Sequence, residues 1–179
     1  MEVPMRREGY QIPEVQFQFR ENGEFVTRTS ADLFNGKRVV IFSLPGAFTP
    51  TCSAYQLPGF EENYAEFEAL GIDEIYCVSV NDAFVMNAWA KDQNIDKVKL
   101  IPDGNAYFTR SMGYLVRKSN LGFGERSWRY AAVVDNGIIE KLFVEDGQRD
   151  NADTDPYLES TPEKVLEYVK STVRETAQV

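Results

Sequence analysis

Hydrophobic and polar positions alternate over residues 15–20 and, less regularly, over 25–29, with Glu21-Asn22-Gly23-Glu24 between them. Two such runs around a turn sequence predict an N-terminal β-hairpin. Residues 30–34 read as a short helical turn that Asn35-Gly36 ends. Residues 37–44 are apolar at nearly every position, the pattern of a strand buried on both faces. Leu57, Phe60, Tyr64, Phe67 and Leu70 recur at helical spacing and predict a helix over about 51–70, stopped by Gly71. Pro58 lies inside it and cannot donate to the Ala54 carbonyl, so a kink or broken first turn is expected. Residues 74–80 form a second buried run. Asn81 or Asp82 then caps a helix whose apolar face carries Phe84, Val85, Ala88 and Trp89.

A short strand over 97–101 precedes the turn Pro102-Asp103-Gly104, and residues 106–112 suit a short helix. Residues 129–134 and 138–144 are apolar runs around Asp135-Asn136-Gly137, a strong hairpin signal. Residues 145–155 are acidic and loop-like. Thr161-Pro162-Glu163 opens a last helix, to about 173, with Val165, Tyr168 and Val169 turned inward. Strands alternating with helices predict an α/β fold with a central mixed sheet flanked by helices. The element order, a βαβ start and a ββα end, is that of a thioredoxin-like fold with an added N-terminal β-hairpin.

The length, 179 residues, suits one domain with a full core. The net charge of −9 argues against a nucleic-acid or anionic-membrane surface. No apolar run approaches the ~20 residues that span a bilayer. The first eight residues mix charges and lead into no apolar stretch, so no signal peptide is read there and a cytoplasmic location is expected. There are two cysteines, Cys52 and Cys77, and no histidine. That excludes a disulfide framework, a CxxC pair, Cys-His and Ser-His-Asp sites and most zinc sites. A reactive cysteine in this chain needs activation by a helix N-terminus or by Lys/Arg.

Cys52 has that setting. It ends Pro45-Gly46-Ala47-Phe48-Thr49-Pro50-Thr51-Cys52, between a buried strand and a helix start. Unpaired backbone N–H groups and the helix dipole there favour a thiolate. Pro45-x-x-x-Thr49-x-x-Cys52 resembles the active-site motif of the peroxiredoxins, thiol peroxidases on a thioredoxin fold. Further segments look like the type II (class-five, atypical) branch: Leu57-Pro58-Gly59-Phe60, Cys77-Val78-Ser79-Val80-Asn81-Asp82, Ala88-Trp89 and Arg129-Tyr130. The matches extend over roughly residues 3 to 170.

The resemblance implies the following chemistry. Cys52 is the peroxidatic nucleophile and leaves as sulfenic acid. Thr49 hydrogen-bonds the peroxide, although a simple turn threonine would also suit this loop. Pro45 shapes the loop and excludes water. Arg129 is the cation beside the sulfur; Arg126 competes for that role but reads rather as a surface arginine. No metal or flavin is called for. Hydrogen peroxide and alkyl hydroperoxides are the substrates, and glutathione with glutaredoxin, or thioredoxin, the reductant. A homodimer is implied, with Phe48, Phe123 and Trp128 as candidates for its interface. Cys77 is either a buried structural thiol or a resolving cysteine. A redox sensor or relay on the same fold is the alternative function, and a non-catalytic interaction module a third.

Magnitudes show what the site must supply. A thiol of pKa ≈ 8.5 is about 7% thiolate at pH ~7.4, and a pKa of ~6 makes it ~96%. Nucleophilicity falls with pKa at a slope of ~0.4–0.5, which removes about tenfold of that gain. A fast peroxidase must therefore stabilise charge moving from sulfur to the departing oxygen. Two weaker signals carry less. Gly122-Phe123-Gly124 lacks the third glycine of a dinucleotide site, and the 150–155 acidic cluster lacks the glycine and terminal glutamate of a calcium loop, reading instead as a solvated loop.

Overall fold

The computed structural model describes residues 6–177. Residues 1–5, part of the segment read above for a signal peptide, lie outside the described residues. The predicted hairpin is β1 (Gln16–Glu21) and β2 (Glu24–Thr29), joined by Asn22-Gly23. Both turn residues have positive φ, the conformation that lets a two-residue turn follow the strand twist. Thr29 caps α1 (Ser30–Phe34) reciprocally with Asp32.

The central sheet holds β3 (Arg38–Ser43), β4 (Glu74–Ser79), β5 (Lys99–Pro102), β8 (Tyr130–Asp135) and β9 (Ile138–Val144), in the order β5-β4-β3-β8-β9. β3 runs parallel to β4 and antiparallel to β8, so the sheet is mixed as expected. Side chains alternate across it. Val40, Phe42, Cys77, Ala131 and Val133 join one core, with Leu57, Phe60, Trp89, Val165 and Val169 from the helices. Val39, Ile41, Tyr76, Tyr130 and Ala132 join the other, with Phe34, Phe108 and Trp128. Phe42 stacks on Phe60 at 4.2 Å between ring centroids, a contact that adds about 0.5–1.5 kcal/mol beyond its buried area.

The helix predicted over 51–70 is divided into three pieces. A π-helical turn, Cys52–Gln56, leads into α2 (Leu57–Glu62), and α3 (Tyr64–Ala69) follows. Leu57 N–H donates to the Cys52 carbonyl, five residues back, next to the proline that has no N–H. The second break is at Asn63, whose amide donates to the Gly59 carbonyl at 2.7 Å. The sequence reading had no signal for it.

The helix α4 (Ala83–Asp92) is capped by Asp82, which accepts from Val85 N–H. Its buried face is Ala83, Met86 and Trp89, so the face read from Phe84, Val85, Ala88 and Trp89 is corrected. Val85 packs at the edge of the core, Ala88 is exposed, and Phe84 is 57% exposed. Phe84 meets Phe25 of β2 edge-on at 5.9 Å, and Arg20 lies over both rings. The hairpin on that side supplies the contact that the sequence pattern assigned to the core.

α5 (Tyr107–Met112) follows β5. β6 (Leu115–Arg117) and β7 (Glu125–Ser127) then pair antiparallel. At three residues each, they are too short for alternation to reveal them. α6 (Pro162–Ala177) closes the chain, with Val165 and Val169 buried and Tyr168 half-buried against Phe143. No described helix is long and apolar enough to cross a membrane. Trp128 is also corrected as an interface candidate. It is buried, and its indole N–H donates to the Glu145 carbonyl at 2.7 Å.

Candidate active site

β3 delivers the chain at Ser43 into a buried stretch, Leu44 to Ala47. Ala47 N–H donates to Asn81 Oδ1 at 3.0 Å, which ties this loop to the one after β4. Gly46 leaves room for Arg126, since a Cβ there would meet Nη1 and push the guanidinium end aside. Phe48 takes a left-handed conformation, φ 64°, and turns its side chain outward. The chain then folds back so that Thr49 Oγ1 donates to the Gly46 carbonyl at 2.7 Å. With its hydrogen committed there, the Thr49 hydroxyl keeps its lone pairs for an incoming O–H donor.

Cys52 is fully buried at the start of the π-helical turn. Arg129, immediately before β8, reaches it from across the sheet, with Nη1 3.4 Å from the sulfur. The same Nη1 donates to Gln56 Oε1 at 2.5 Å. Nη2 donates to both oxygens of Asp155, at 2.8 Å each. The Tyr157 ring lies 5.7 Å from the guanidinium carbon. Arg129 is only 1% exposed. Burial opposes its charge, but Cys52 and Asp155 outweigh that cost and hold its pKa above the usual arginine value.

Arg126 is not the surface residue that the sequence suggested. It is half-buried, donates from Nε to the Phe123 carbonyl at 3.1 Å and from Nη1 to the Pro45 carbonyl at 3.4 Å, and lies over the Phe123 ring. Both arginines therefore face the Pro45–Cys52 segment, but the guanidinium within 3.4 Å of the sulfur is that of Arg129. β7 explains this. Its short pairing with β6 folds Arg126 back over the loop before the chain enters β8.

Cys77 sits opposite Phe42 in the β3–β4 pairing, in the same core as Cys52. It is fully buried. Burial pushes its thiol well above the ordinary value, the Cys52 charge adds to this, and Arg129 offsets a part. Both cysteines are free thiols. Among the described residues no three His, Cys, Asp or Glu side chains converge as metal ligands.

Gln56, Asp155 and Tyr157 were missed by the sequence reading. Gln56 carried a signal: it lies four residues after Cys52, on the same helical face, as a polar residue among apolar ones. Asp155 carried none, because its cluster reads as solvated loop. Its position is set by Glu145, whose buried carboxylate accepts from the N–H groups of Leu158, Glu159 and Ser160 and from the Ser160 hydroxyl. Ser160 in turn receives the Gln56 amide at 3.5 Å. The segment after β9 is thus strapped across the cysteine.

Residues 7–158 match the Redoxin family model. A peroxiredoxin of Rhizobium etli is 56% identical over 170 residues, which cover 90% of this chain and 95% of that protein. The crystal structure of a Plasmodium falciparum antioxidant protein, a 1-Cys peroxiredoxin, is similar with a TM-score of 0.89 and 43% identity over 93% of this chain and 99% of that one. The structure of reduced Prx3 from Vibrio vulnificus in complex with hydrogen peroxide is similar with a TM-score of 0.84 and 38% identity over 92% of this chain and 99% of that one. With its thioredoxin-like fold and N-terminal hairpin, the chain belongs to the peroxiredoxins, in their type II branch, and is a thiol peroxidase.

Proposed function

We propose that this chain, acting as one domain, reduces hydrogen peroxide and alkyl hydroperoxides at Cys52 and is recycled by an external thiol. The observation that carries the reading is the 3.4 Å contact from the Arg129 guanidinium to a sulfur buried beside Thr49. The Cys52 thiolate attacks one peroxide oxygen in line, an S–O bond forms, and the O–O bond breaks. The leaving hydroxide or alkoxide takes a proton and departs as water or alcohol. Cys52 is then a sulfenic acid, two electrons more oxidised. Thr49 accepts a hydrogen bond from the peroxide and orients it, and Arg129 stabilises the charge that moves from sulfur to oxygen. Pro45, in the loop wall, excludes water from the attack line.

An external thiol attacks the sulfenic sulfur, water leaves, and a mixed disulfide forms. A second thiol releases Cys52 and becomes half of a new disulfide. Glutathione with glutaredoxin, or thioredoxin, fills this role. Cys77 is a structural thiol in this scheme. Its complete burial and raised pKa support that assignment, and the 1-Cys designation of the Plasmodium relative agrees with it. The hydrogen peroxide complex of the Vibrio relative supports the substrate.

A homodimer and a cytoplasmic location complete the proposal. Phe48, 52% exposed, and half-buried Phe123 remain the interface candidates. A monomer mass by light scattering at working concentration would remove the dimer.

The decisive test is single-turnover oxidation of the reduced protein with one equivalent of hydrogen peroxide, followed by tryptophan fluorescence and intact mass. Trp89 is a local reporter, because its indole N–H donates to the Ser53 hydroxyl at 2.9 Å, next to Cys52. Oxidation confined to Cys52 and much faster than free cysteine supports the reading. Oxidation at the rate of free cysteine overturns it.

A further inference from the structure

Lys118, directly after β6, is 3% exposed. Its backbone is fixed: the N–H donates to the Gly124 carbonyl at 2.7 Å, and its own carbonyl accepts from Leu121 and Phe123. Its ammonium has no hydrogen-bond acceptor and no ion-pair partner among the described residues, and it lies over the Trp128 ring, 5.6 Å from its centre. The lysine stem is packed in and the ammonium keeps only a small contact with solvent, and a cation drawn this far from water without an acceptor is unfavourable. Burial accordingly lowers its pKa, against the pull of Asp155 and Cys52, while Arg129 adds to the lowering.

Lys118 lines a cavity of about 310 Å³ that shares Pro45, Thr49 and Asp155 with the active site. This size admits a small molecule. Pro50, Leu121 and Phe123 make much of the wall apolar. Two acidic residues also line it, and both are already paired, Asp155 with Arg129 and Asp153 with Arg149. Lys118 is the charge of this wall that has no partner, and Cys52 lies close enough to act on it electrostatically.

We propose that Lys118 binds the carboxylate of a small reactant that approaches Cys52 through this cavity, with the aliphatic part of that reactant against the apolar wall. The carboxylate belongs to a hydroperoxide in the oxidation step or to a thiol in the reduction step. Either supplies the acceptor that the ammonium lacks. The inference rests on Cys52 being the redox centre. A purely electrostatic effect of Lys118 on the sulfur would change the rate with every reactant alike, whereas carboxylate binding changes a ratio.

The experiment measures ratios on the intact protein. In the oxidation arm, a short-chain hydroperoxy carboxylate is compared with its methyl ester. In the reduction arm, the sulfenic acid is reduced by 3-mercaptopropionate or by its methyl ester. Each pair is run on the wild type, Lys118→Met and Lys118→Arg, with hydrogen peroxide as the reference oxidant. The expected result is a preference of about tenfold for the acid over the ester in one arm of the wild type, the size of one charge-assisted hydrogen bond. That preference falls to near unity in Lys118→Met and persists in Lys118→Arg. The arm that shows it identifies the reactant.

No preference in either arm of the wild type overturns the proposal, even if Lys118→Met fails to fold. So does a preference that survives Lys118→Met. A wild type that consumes hydrogen peroxide no faster than free cysteine overturns the reading of Cys52 and this inference with it. Fast peroxide consumption without acid preference overturns this inference alone.

Discussion

Asp155 holds Arg129 through both carboxylate oxygens, at 2.8 Å each, while the other end of the same guanidinium lies 3.4 Å from the Cys52 sulfur. The pairing is asymmetric: Arg129 is 1% exposed at its side chain, and Asp155 is 44% exposed. Both bonds leave from Nη2, and Nη1 donates to Gln56, so two of the three guanidinium nitrogens are tied and the fork has little freedom to rotate. Asp155 and Gln56 together therefore fix which nitrogen faces the sulfur.

Asp155→Ala is expected to slow peroxide oxidation of Cys52 by about tenfold, a loss of roughly 1.4 kcal/mol in the transition state. Its stability cost is expected at about 1–2 kcal/mol, because solvent screens the exposed carboxylate although the arginine is left buried. Stopped-flow oxidation and urea unfolding on the same preparation separate the two effects. A rate loss no larger in Asp155→Ala than in Asp153→Ala would remove the positioning role.

Arg129→Met is expected to slow the first oxidation by about 10²- to 10³-fold, the usual loss for one donor at a developing charge. Arg129→Lys is expected to recover only a small part. A single ammonium cannot reach the sulfur, Gln56 and Asp155 together in the geometry of the fork. Rates within twofold of the wild type in Arg129→Met would return Arg126 to consideration.

Cys52→Ser is expected to abolish peroxide reduction, and Cys77→Ser to keep most of it. Steady-state turnover with an external thiol checks this directly. Failure of Cys77→Ser to recycle, with a normal first oxidation, would make Cys77 the resolving residue.

Alkaline stability follows from the buried thiol and phenols. The pKa of Cys77 is raised on folding by burial, so the unfolded chain loses its proton first and folding stability falls as pH rises above about 8.5. The slope is up to ~1.4 kcal/mol per pH unit for one such group. Burial likewise pushes Tyr64 and Tyr114 up to about 12, so their contribution is intact below their ordinary value of 10.0 and is lost between there and about pH 12. Urea midpoints measured from pH 7 to 11 are expected to decline from near pH 8.5 in the wild type and to decline later in Cys77→Ala. Identical pH profiles would show that Cys77 ionises freely in the folded state.

Much of the fold is local information. Period-two and helical spacings placed the hairpin, β3, β4, α6 and the β8–β9 pair, because a strand or an amphipathic helix writes its own burial into the chain. Where burial comes from a distant element, the reading failed. Phe84 left the core because the hairpin offered Phe25 and Arg20 on the opposite side of α4. Trp128 went inside because Glu145, 17 residues on, presents a carbonyl to its indole. The three-residue strands β6 and β7 are too short to carry a period at all.

The candidate site divides in the same way. The sequence by itself determined Pro45, Thr49 and Cys52 as one unit, since a strand end, a proline-threonine loop and a helix start are contiguous and their geometry is local. It also named Arg129 as the cation beside the sulfur, with Arg126, three residues earlier, as the competitor. Only the tertiary structure gave the distances, with the Arg129 guanidinium 3.4 Å from the sulfur and Arg126 donating to the Pro45 carbonyl. Only the tertiary structure brought Asp155 and Gln56 to the Arg129 guanidinium and Lys118 to the cavity next to them. These charged and amide groups act through space and leave no repeating pattern along the chain, and long-range pairing across a sheet is what sets their distances.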